Sequence, residues 1–168
     1  ASPFALVWSL PLEPQAEDAP PRDLLSFNPE GADFVPQSLA WHPADEHVIA
    51  MGCTTGEVRI VSSVTGDLVR TLEGHTGLVD MLAWSSDGAL LASASYDRTI
   101  RIWNYSTGQE RWLLPMPRHV KDLAFEPSDS RKLVVVSVDA ETQTLCVSYW
   151  QLNEVPSSMP SVREVTLP

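Results

Sequence analysis

One segment of the chain, GHTGLVDMLAWSSDGALLASASYDRTIRIWN (residues 74–104), constrains the fold more than any other. It holds a Gly-His pair, an apolar run, a Ser-Asp-Gly turn, a small-residue run, an aspartate turn and a closing tryptophan, in that order. Short runs of alternating apolar and polar residues between turn residues indicate β-strands. The segment therefore predicts a unit of four short strands.

The unit repeats along the chain. Residues 48–61 (VIAMGCTTGEVRIV) align without a gap with residues 90–103 (LLASASYDRTIRIW) after a shift of 42 residues. A third copy begins at residues 119–125, and residues 23–27 repeat the pattern of residues 67–71. A β-rich period of about 42 residues is typical of β-propeller blades. We therefore expect an all-β fold of about three and a half four-stranded antiparallel blades, forming an incomplete ring.

The repeat predicts four units. These are a partial leading blade with an acidic, proline-rich loop, a degenerate blade, a blade with the full pattern, and a degenerate blade with a tail: 1–33, 34–73, 74–115 and 116–168. The expected strands are 4–10 and 24–27, then 36–41, 48–53, 57–62 and 68–72, then 79–85, 90–95, 99–104 and 110–114, and last 119–125, 133–138, 144–152 and 162–167. First-strand residues Trp41, Trp84 and Phe125 occupy equivalent positions, so we expect all three in the core.

Composition and charge limit the partners. The net charge is −11 with only two lysines, Lys121 and Lys132, which argues against nucleic acid because phosphate binding needs clustered cations. The charge mildly favours a basic partner, although a solvated acidic surface explains it too. No apolar run reaches the roughly 18 residues of a membrane helix. Cys53 and Cys146 lie in expected strands, so free buried thiols and an intracellular location, cytoplasmic or nuclear, are expected.

With these motifs the chain resembles the WD-repeat family of β-propellers. In that family a buried tetrad joins the Gly-His histidine, a second-strand serine, the turn aspartate and the closing tryptophan. The matching residues are His75, Ser93, Asp97 and Trp103. The resemblance implies a structural tetrad here. A catalytic triad of the first three residues is disfavoured, because the serine lies within a strand rather than on an exposed turn.

The flanking blades depart from the family pattern. In the first blade the tetrad positions hold Ala32, Met51, Thr55 and Val61, and in the third a Pro115-Met116 pair replaces Gly-His. We expect these blades to depend on apolar packing alone.

The resemblance also implies a partner-binding face, formed by residues that flank the start of each first strand or precede the turn aspartate. Tyr96 is the strongest candidate, because exposed aromatic residues are common interface anchors; the alternative is packing against the adjacent blade. The full set is Leu78, Asp80 and Tyr96, with Val35, Gln37 and Thr54 in the first blade and His119, Lys121 and Val138 in the third.

No motif of an enzyme or a cofactor site is present in the sequence. His42 and His47 flank a turn without partners at metal-ligand spacing, so no metal, cofactor or catalytic residue is expected. The expected function is a non-enzymatic scaffold that binds proteins or peptides, as a segment of a larger propeller. A second copy that closes the ring is the less favoured arrangement. The alternative function is a sensor or regulatory segment of a larger signalling protein, such as a nucleotide-switched ATPase.

Overall fold

The computed structural model describes residues 5–8, 23–27, 35–139, 141–152 and 161–166. The described residues form strands, turns and bends and contain no helix. The predicted proline-rich loop at residues 11–22, Ala32 and the predicted turn at residues 156–160 lie outside them. The strands are β1 (Ala5–Trp8), β2 (Asp23–Phe27), β3 (Pro36–Trp41), β4 (Val48–Cys53), β5 (Val58–Ser62), β6 (Leu68–Leu72), β7 (Val79–Trp84), β8 (Leu90–Ser95), β9 (Thr99–Asn104), β10 (Glu110–Pro115), β11 (His119–Glu126), β12 (Asp129–Val138), β13 (Leu145–Gln151) and β14 (Ser161–Thr166).

The strands form three four-stranded sheets and one pair, all antiparallel and in chain order. We call the sheets blade 1 (β3–β6), blade 2 (β7–β10) and blade 3 (β11–β14), and β1 pairs with β2. The expected all-β fold of four-stranded antiparallel blades is confirmed. The division of the chain into four units stays a prediction.

One strand is longer than the sequence indicates. β12 begins at Asp129 rather than at residue 133, because Glu126 and Asp129 pair directly across a tight turn. The sequence around Ser128 has the composition of a loop, but Glu126 and Asp129 on its two sides pair, after a shift of register between Phe125 and Glu126.

Consecutive blades pack face to face. The inward face of blade 1 carries Val58, Ile60 and Leu72, all nearly inaccessible, and Leu82 and Trp84 of blade 2 pack on it. Burial of this kind contributes about 1.5–3 kcal/mol for a large apolar side chain. The indole nitrogen of Trp84 also donates to the Ala40 carbonyl, 3.1 Å away, which fixes the two first strands relative to each other.

The second interface repeats the first. Ile100 and Ile102 of blade 2 pack against Leu123, Phe125 and Leu133 of blade 3. Alternate residues of each strand face one neighbour, as the two-residue period of a strand requires. The prediction that Phe125 lies in the core is therefore confirmed.

The expectation that Trp41 is buried is wrong. Its side chain is 51% exposed and that of Leu39 is 53% exposed, whereas the equivalent Phe125 is 8% exposed. The reason is that β1 and β2 form a sheet of two strands only, and among the described strands no first strand lies against β3 as β3 lies against β7. Position within the repeat is therefore not enough to bury a side chain.

Both cysteines are free and buried, as the sequence predicts. Burial, followed by the charge of Glu57, raises the pKa of the Cys53 thiol to about 12. The thiol is therefore protonated at neutral pH and is a poor nucleophile.

Candidate functional site: a cleft between blades 2 and 3

A hydrogen-bonded chain of four side chains ties the strands of blade 2 together. His75 Nδ1 donates to Asp97 Oδ2 at 2.8 Å, and His75 Nε2 accepts from the Ser93 hydroxyl at 2.8 Å. The Ser93 oxygen in turn accepts the Trp103 indole N–H at 2.8 Å. Histidine, serine and tryptophan are all buried. Because each polar group has a partner, the desolvation cost of burying it is offset.

Local electrostatics hold this chain in one protonation state. Burial lowers the pKa of His75, although Asp97 opposes that shift. Burial also acts to raise the pKa of Asp97, but hydrogen bonds from Thr99, His75 and the Thr76 amide outweigh it and keep the pKa below its ordinary value. At neutral pH the imidazole is neutral and the carboxylate is ionised. The serine oxygen is inaccessible to a substrate, because Ser93 is completely buried.

The same aspartate fixes the turn between β8 and β9. Asp97 Oδ1 accepts from the Thr99 amide at 2.9 Å, and Asp97 Oδ2 accepts from the Thr76 amide at 3.0 Å. The Ser95 hydroxyl donates to the Gly77 carbonyl at 2.8 Å. The turn is therefore bound to the segment that precedes β7. A rigid turn of this kind presents the side chains at its tip at low entropic cost.

Two side chains project from that turn. Tyr96 is 59% exposed, and its amide donates to the Leu78 carbonyl at 2.9 Å. The tyrosine ring meets His119 of blade 3 edge-on, with ring centroids 5.0 Å apart. Arg98 has a positive φ of 65° and an exposed side chain. Tyr96 thus contacts the adjacent blade and also presents a large free surface, so each of the two sequence interpretations describes part of its environment.

A cleft of about 550 Å³ opens beside Tyr96, where blade 2 meets blade 3. Its walls come from the β8–β9 turn, the segment before β11 and the β12–β13 turn: Ser95, Tyr96, Arg98, Pro117, Arg118, His119, Val120, Val138, Asp139 and Glu141. Arg118 Nε lies 3.7 Å from Asp139 Oδ2, and Asp139 Oδ1 accepts from the amides of Glu141 and Thr142. The Thr142 and Glu141 amides lower the pKa of Asp139, so its carboxylate is ionised.

An irregularity in each first strand lies at the same end. The antiparallel register shifts between Pro36 and Ser38 in blade 1, between Val79 and Met81 in blade 2, and between Val120 and Asp122 in blade 3. Such bulges turn a side chain out of the regular alternation. The residues that the shifts pass over are Gln37, Asp80 and Lys121.

The charges around these bulges interact. Burial raises the pKa of Asp80, and the nearby charges of His119 and Lys121 partly oppose that shift. Asp80 therefore lies close to two basic groups of the next blade. This local group of charges extends from the cleft toward the first strands.

The structure groups the sequence candidates unequally. Tyr96, His119 and Val138 line the cleft. The charges of His119 and Lys121 both act on Asp80. None of the first-blade candidates lines the cleft. Val35 and Thr54 pair with each other instead: the Val35 amide donates to Thr54 Oγ1 at 2.9 Å and the Thr54 amide to the Val35 carbonyl at 3.0 Å. Gln37 and Leu78 do not line the cleft either.

Of the ten lining residues, seven lie outside the face expected from the sequence, and four of these seven are charged. Arg98, Arg118, Asp139 and Glu141 belong to the cleft but not to the expected face. A signal for two of them was present, because both arginines stand where the preceding blade has glycine.

Comparison with known proteins agrees with this geometry. The family model "WD domain, G-beta repeat" matches residues 66–104, and the model "Anaphase-promoting complex subunit 4 WD40 domain" matches residues 7–84. The Cps50 (Swd1) β-propeller domain of Myceliophteria thermophila superimposes with a TM-score of 0.66 and 19% identity, over 79% of this chain and 37% of that one. These matches define a propeller built from repeated blades.

Curated relatives extend the comparison. The periodic tryptophan protein 2 homolog of Schizosaccharomyces pombe is 38% identical over 117 residues, which are 69% of this chain and 13% of that protein. Eukaryotic translation initiation factor 3 subunit I of Debaryomyces hansenii is 34% identical over 93 residues, which are 54% of this chain and 26% of that protein. The chain thus spans a minor part of the length of these relatives. It belongs to the WD-repeat family of β-propellers.

No helix in the described part is long and apolar enough to cross a membrane. Within the same residues, no group of three or more histidine, cysteine or acidic side chains is arranged to hold a metal ion.

Proposed function

We propose that this chain is a non-enzymatic scaffold that binds other proteins or peptides through the cleft between blades 2 and 3. The observation that carries the proposal is Tyr96, a mostly exposed aromatic side chain on a turn that hydrogen bonds hold rigid. Aromatic anchors beside polar neighbours are enriched at the energetic centres of interfaces. The partner-binding face in this proposal comprises Leu78, Asp80, Tyr96, Val35, Gln37, Thr54, His119, Lys121 and Val138, with the cleft at its centre.

WD-repeat propellers are in general scaffolds, and the described residues suit that role. The only sequence candidate for a nucleophile in a triad, Ser93, is buried and fully hydrogen-bonded. One relative is named as a subunit of a translation initiation factor. We infer that this chain likewise works within an assembly inside the cell, in the cytoplasm or the nucleus. The acidic net charge supports a partner other than nucleic acid.

The proposal includes further blades. Leu39 and Trp41 of blade 1 are half exposed, and so are Leu145 (43%) and Tyr149 (49%) of blade 3. At the junctions between blades, the counterparts of Leu39, Trp41 and Tyr149 pack against a neighbouring sheet; these are Leu82, Trp84 and Ile102. The greater length of the relatives supports a larger propeller, whose extra blades cover these side chains. No observation in the described residues favours a regulatory segment of an ATPase.

Affinity capture tests the proposed face. The wild-type chain, the double variant Tyr96→Ala/Asp80→Lys and the control Val64→Ala are used as baits, and captured proteins are quantified by mass spectrometry. Val64 is 58% exposed and lies on the β5–β6 turn, away from the cleft. The double variant should lose the partners that wild type and control retain, with an unchanged melting temperature. Equal capture by all three chains would show that another surface binds.

A further inference from the structure

The junction between blades 1 and 2 and the junction between blades 2 and 3 differ at two equivalent positions. Gly56 in the β4–β5 turn corresponds to Arg98 in the β8–β9 turn, after a shift of 42 residues. Gly77, just before β7, corresponds to Arg118, just before β11, because Val79 pairs with Ser95 as Val120 pairs with Ser137. Each junction therefore has the same backbone plan, with two glycines at one and two arginines at the other.

Gly56 allows the first junction to close, and Gly77 allows the segment before β7 to approach the β8–β9 turn of its own blade. A Cβ on Gly56 would lie 2.5 Å from the His75 carbonyl oxygen and 3.2 Å from that of Gly77. A Cβ on Gly77 would lie 2.9 Å from the Asp97 amide nitrogen. Backbone packs directly on backbone at this junction, without room for side chains. At the second junction arginine stands at both positions, and a cleft of about 550 Å³ lies beside them.

Arg98 occupies a backbone conformation that suits glycine better. Its φ is 65°, and the equivalent Gly56 has a φ of 94°. Side chains other than those of Asn and Asp are uncommon there, and such strain concentrates at functional sites. Among the described residues, no hydrogen bond or ion pair of the Arg98 guanidinium is found, whereas Arg118 pairs with Asp139. The Arg98 guanidinium thus lines the cleft without a hydrogen-bond or ion-pair partner among the described residues.

The chemistry of the walls selects a carboxylate. Planar guanidinium groups bind carboxylates through paired, charge-assisted hydrogen bonds. The Asp139 carboxylate already accepts from two backbone amides and pairs with Arg118. It is therefore a weak competitor of a partner's carboxylate for binding to Arg98. Glu141 at the rim reduces the field that a free anion would feel. A carboxylate carried by a peptide gains more than a free one, because the peptide can also pack on the exposed ring of Tyr96.

We propose that the cleft receives an aspartate or glutamate side chain from an extended segment of a protein partner. Arg98 donates to the carboxylate, Arg118 forms the opposite wall, and Tyr96 packs against the apolar part of the segment. This inference rests on the proposed function, since it names the chemistry of the partner that the same face binds.

Selection from a displayed library of random octapeptides tests the inference. The baits are the whole chain, Arg98→Gly and the control Arg131→Gln, which removes an equal charge from an exposed arginine outside the cleft. Glycine at residue 98 restores the residue type of blade 1, so the fold should be retained and the melting temperature should not fall. We expect Asp and Glu to be enriched with wild type and with the control. Changing the selected Glu to Gln should weaken binding about tenfold, and Arg98→Gly should weaken it about equally.

The outcomes separate the two proposals. Selected peptides that lack acids, or bind equally after Glu→Gln, overturn the carboxylate while the cleft remains a peptide site. Binding only after Glu is replaced by phosphoserine overturns it in favour of phosphate. Equal binding by Arg98→Gly and wild type overturns the role of the arginine. Failure to select any peptide, together with unchanged protein capture by Tyr96→Ala/Asp80→Lys, overturns both the inference and the proposed face.

Discussion

His75 Nδ1 and Asp97 Oδ2 lie 2.8 Å apart, across 22 residues of sequence, and this hydrogen bond links the interior of blade 2 to the turn beside the cleft. On one side the histidine continues to Ser93 and Trp103, deep between strands. On the other side the aspartate binds the amides that shape the turn. A change within the buried chain should therefore affect both the stability of the blade and the position of Tyr96.

Loss of the aspartate should destabilise the protein markedly. Asp97→Ala leaves His75 and two backbone amides without their acceptor, and Trp103→Ala leaves a cavity, so each should lower the free energy of unfolding by about 2–5 kcal/mol. Thr55 occupies the equivalent turn position in blade 1 and is exposed, so Thr55→Ala should cost much less. Urea denaturation of the three variants measures this. Similar losses at residues 97 and 55 would refute the asymmetry between the blades.

Acid should destabilise the fold in two stages. Because burial holds the pKa of His75 below its ordinary value of 6.5, the unfolded chain takes up its proton first, and stability should fall as the pH drops below about 6.5. Hydrogen bonds hold the pKa of Asp97 below 3.8, so further stability is lost below that pH. Both contributions are fully present at neutral pH. The midpoints of urea denaturation, measured at several pH values between 8 and 3, should fall in these two stages.

The variant His75→Gln isolates the first stage. It should be less stable at neutral pH, and its stability should change less between pH 7 and pH 5 than that of wild type. The opposite sign, with wild type more stable at pH 5 than at pH 7, would mean that the histidine is charged in the folded protein.

Glycine and arginine should not be interchangeable between the two junctions. Gly56→Ala should lower the free energy of unfolding by about 1–3 kcal/mol, since its positive φ disfavours a side chain and its Cβ meets the His75 carbonyl. Arg98→Gly should leave stability unchanged or raise it. Thermal melts of the two variants beside wild type make the comparison. A larger loss for the arginine variant would mean that Arg98 has a structural role in the fold.

The Cys53 thiol should be unreactive in the folded protein. It is buried and its pKa is about 12, so little thiolate forms at pH 8. An exchange reagent such as dithionitrobenzoate should modify it only at the rate of unfolding, and rapidly in urea. Cys146→Ser lets this thiol be followed alone. Fast modification under native conditions would mean that blade 1 opens readily near residue 53.

The isolated 168-residue chain should associate with itself. Half-exposed apolar side chains at Leu39, Trp41 and Tyr149 present sheet faces that packing would cover. The double variant Trp41→Lys/Tyr149→Lys should lower the mass measured by light scattering without lowering the melting temperature. Val64→Lys, at an exposed apolar residue of a turn, is the control. A monomeric wild-type chain would contradict the prediction and would indicate that these apolar sheet faces are stable in contact with solvent.

Sequence alone predicted the strands of blades 1 and 2 to within one residue at each end. The reason is that the alternation within a strand and the residues of a turn are local features, and the 42-residue repeat displays them twice in register. It was less accurate in blade 3, where Glu126 and Asp129 extend the ladder through a segment with the composition of a loop. There the pairing of Glu126 with Asp129 across a tight turn, and of Lys132 with Gln151 of β13, extends the strand where the composition indicates a loop.

The residues of the blade 2 hydrogen-bond chain could be named from the sequence because the family pattern places each at a set position. What only the tertiary structure decided is which faces are covered and which junctions are closed. Trp41 and Trp84 occupy the same position of their repeats. The first strand of blade 1 packs against Trp84, whereas none of the described strands covers Trp41 in the same way. Likewise, Gly56 and Arg98 occupy the same position of their turns. In the folded chain Gly56 packs against the next blade, whereas Arg98 forms part of the wall of a cleft. Burial and cleft formation depend on contacts between residues far apart in the chain, which the local pattern of a repeat does not contain.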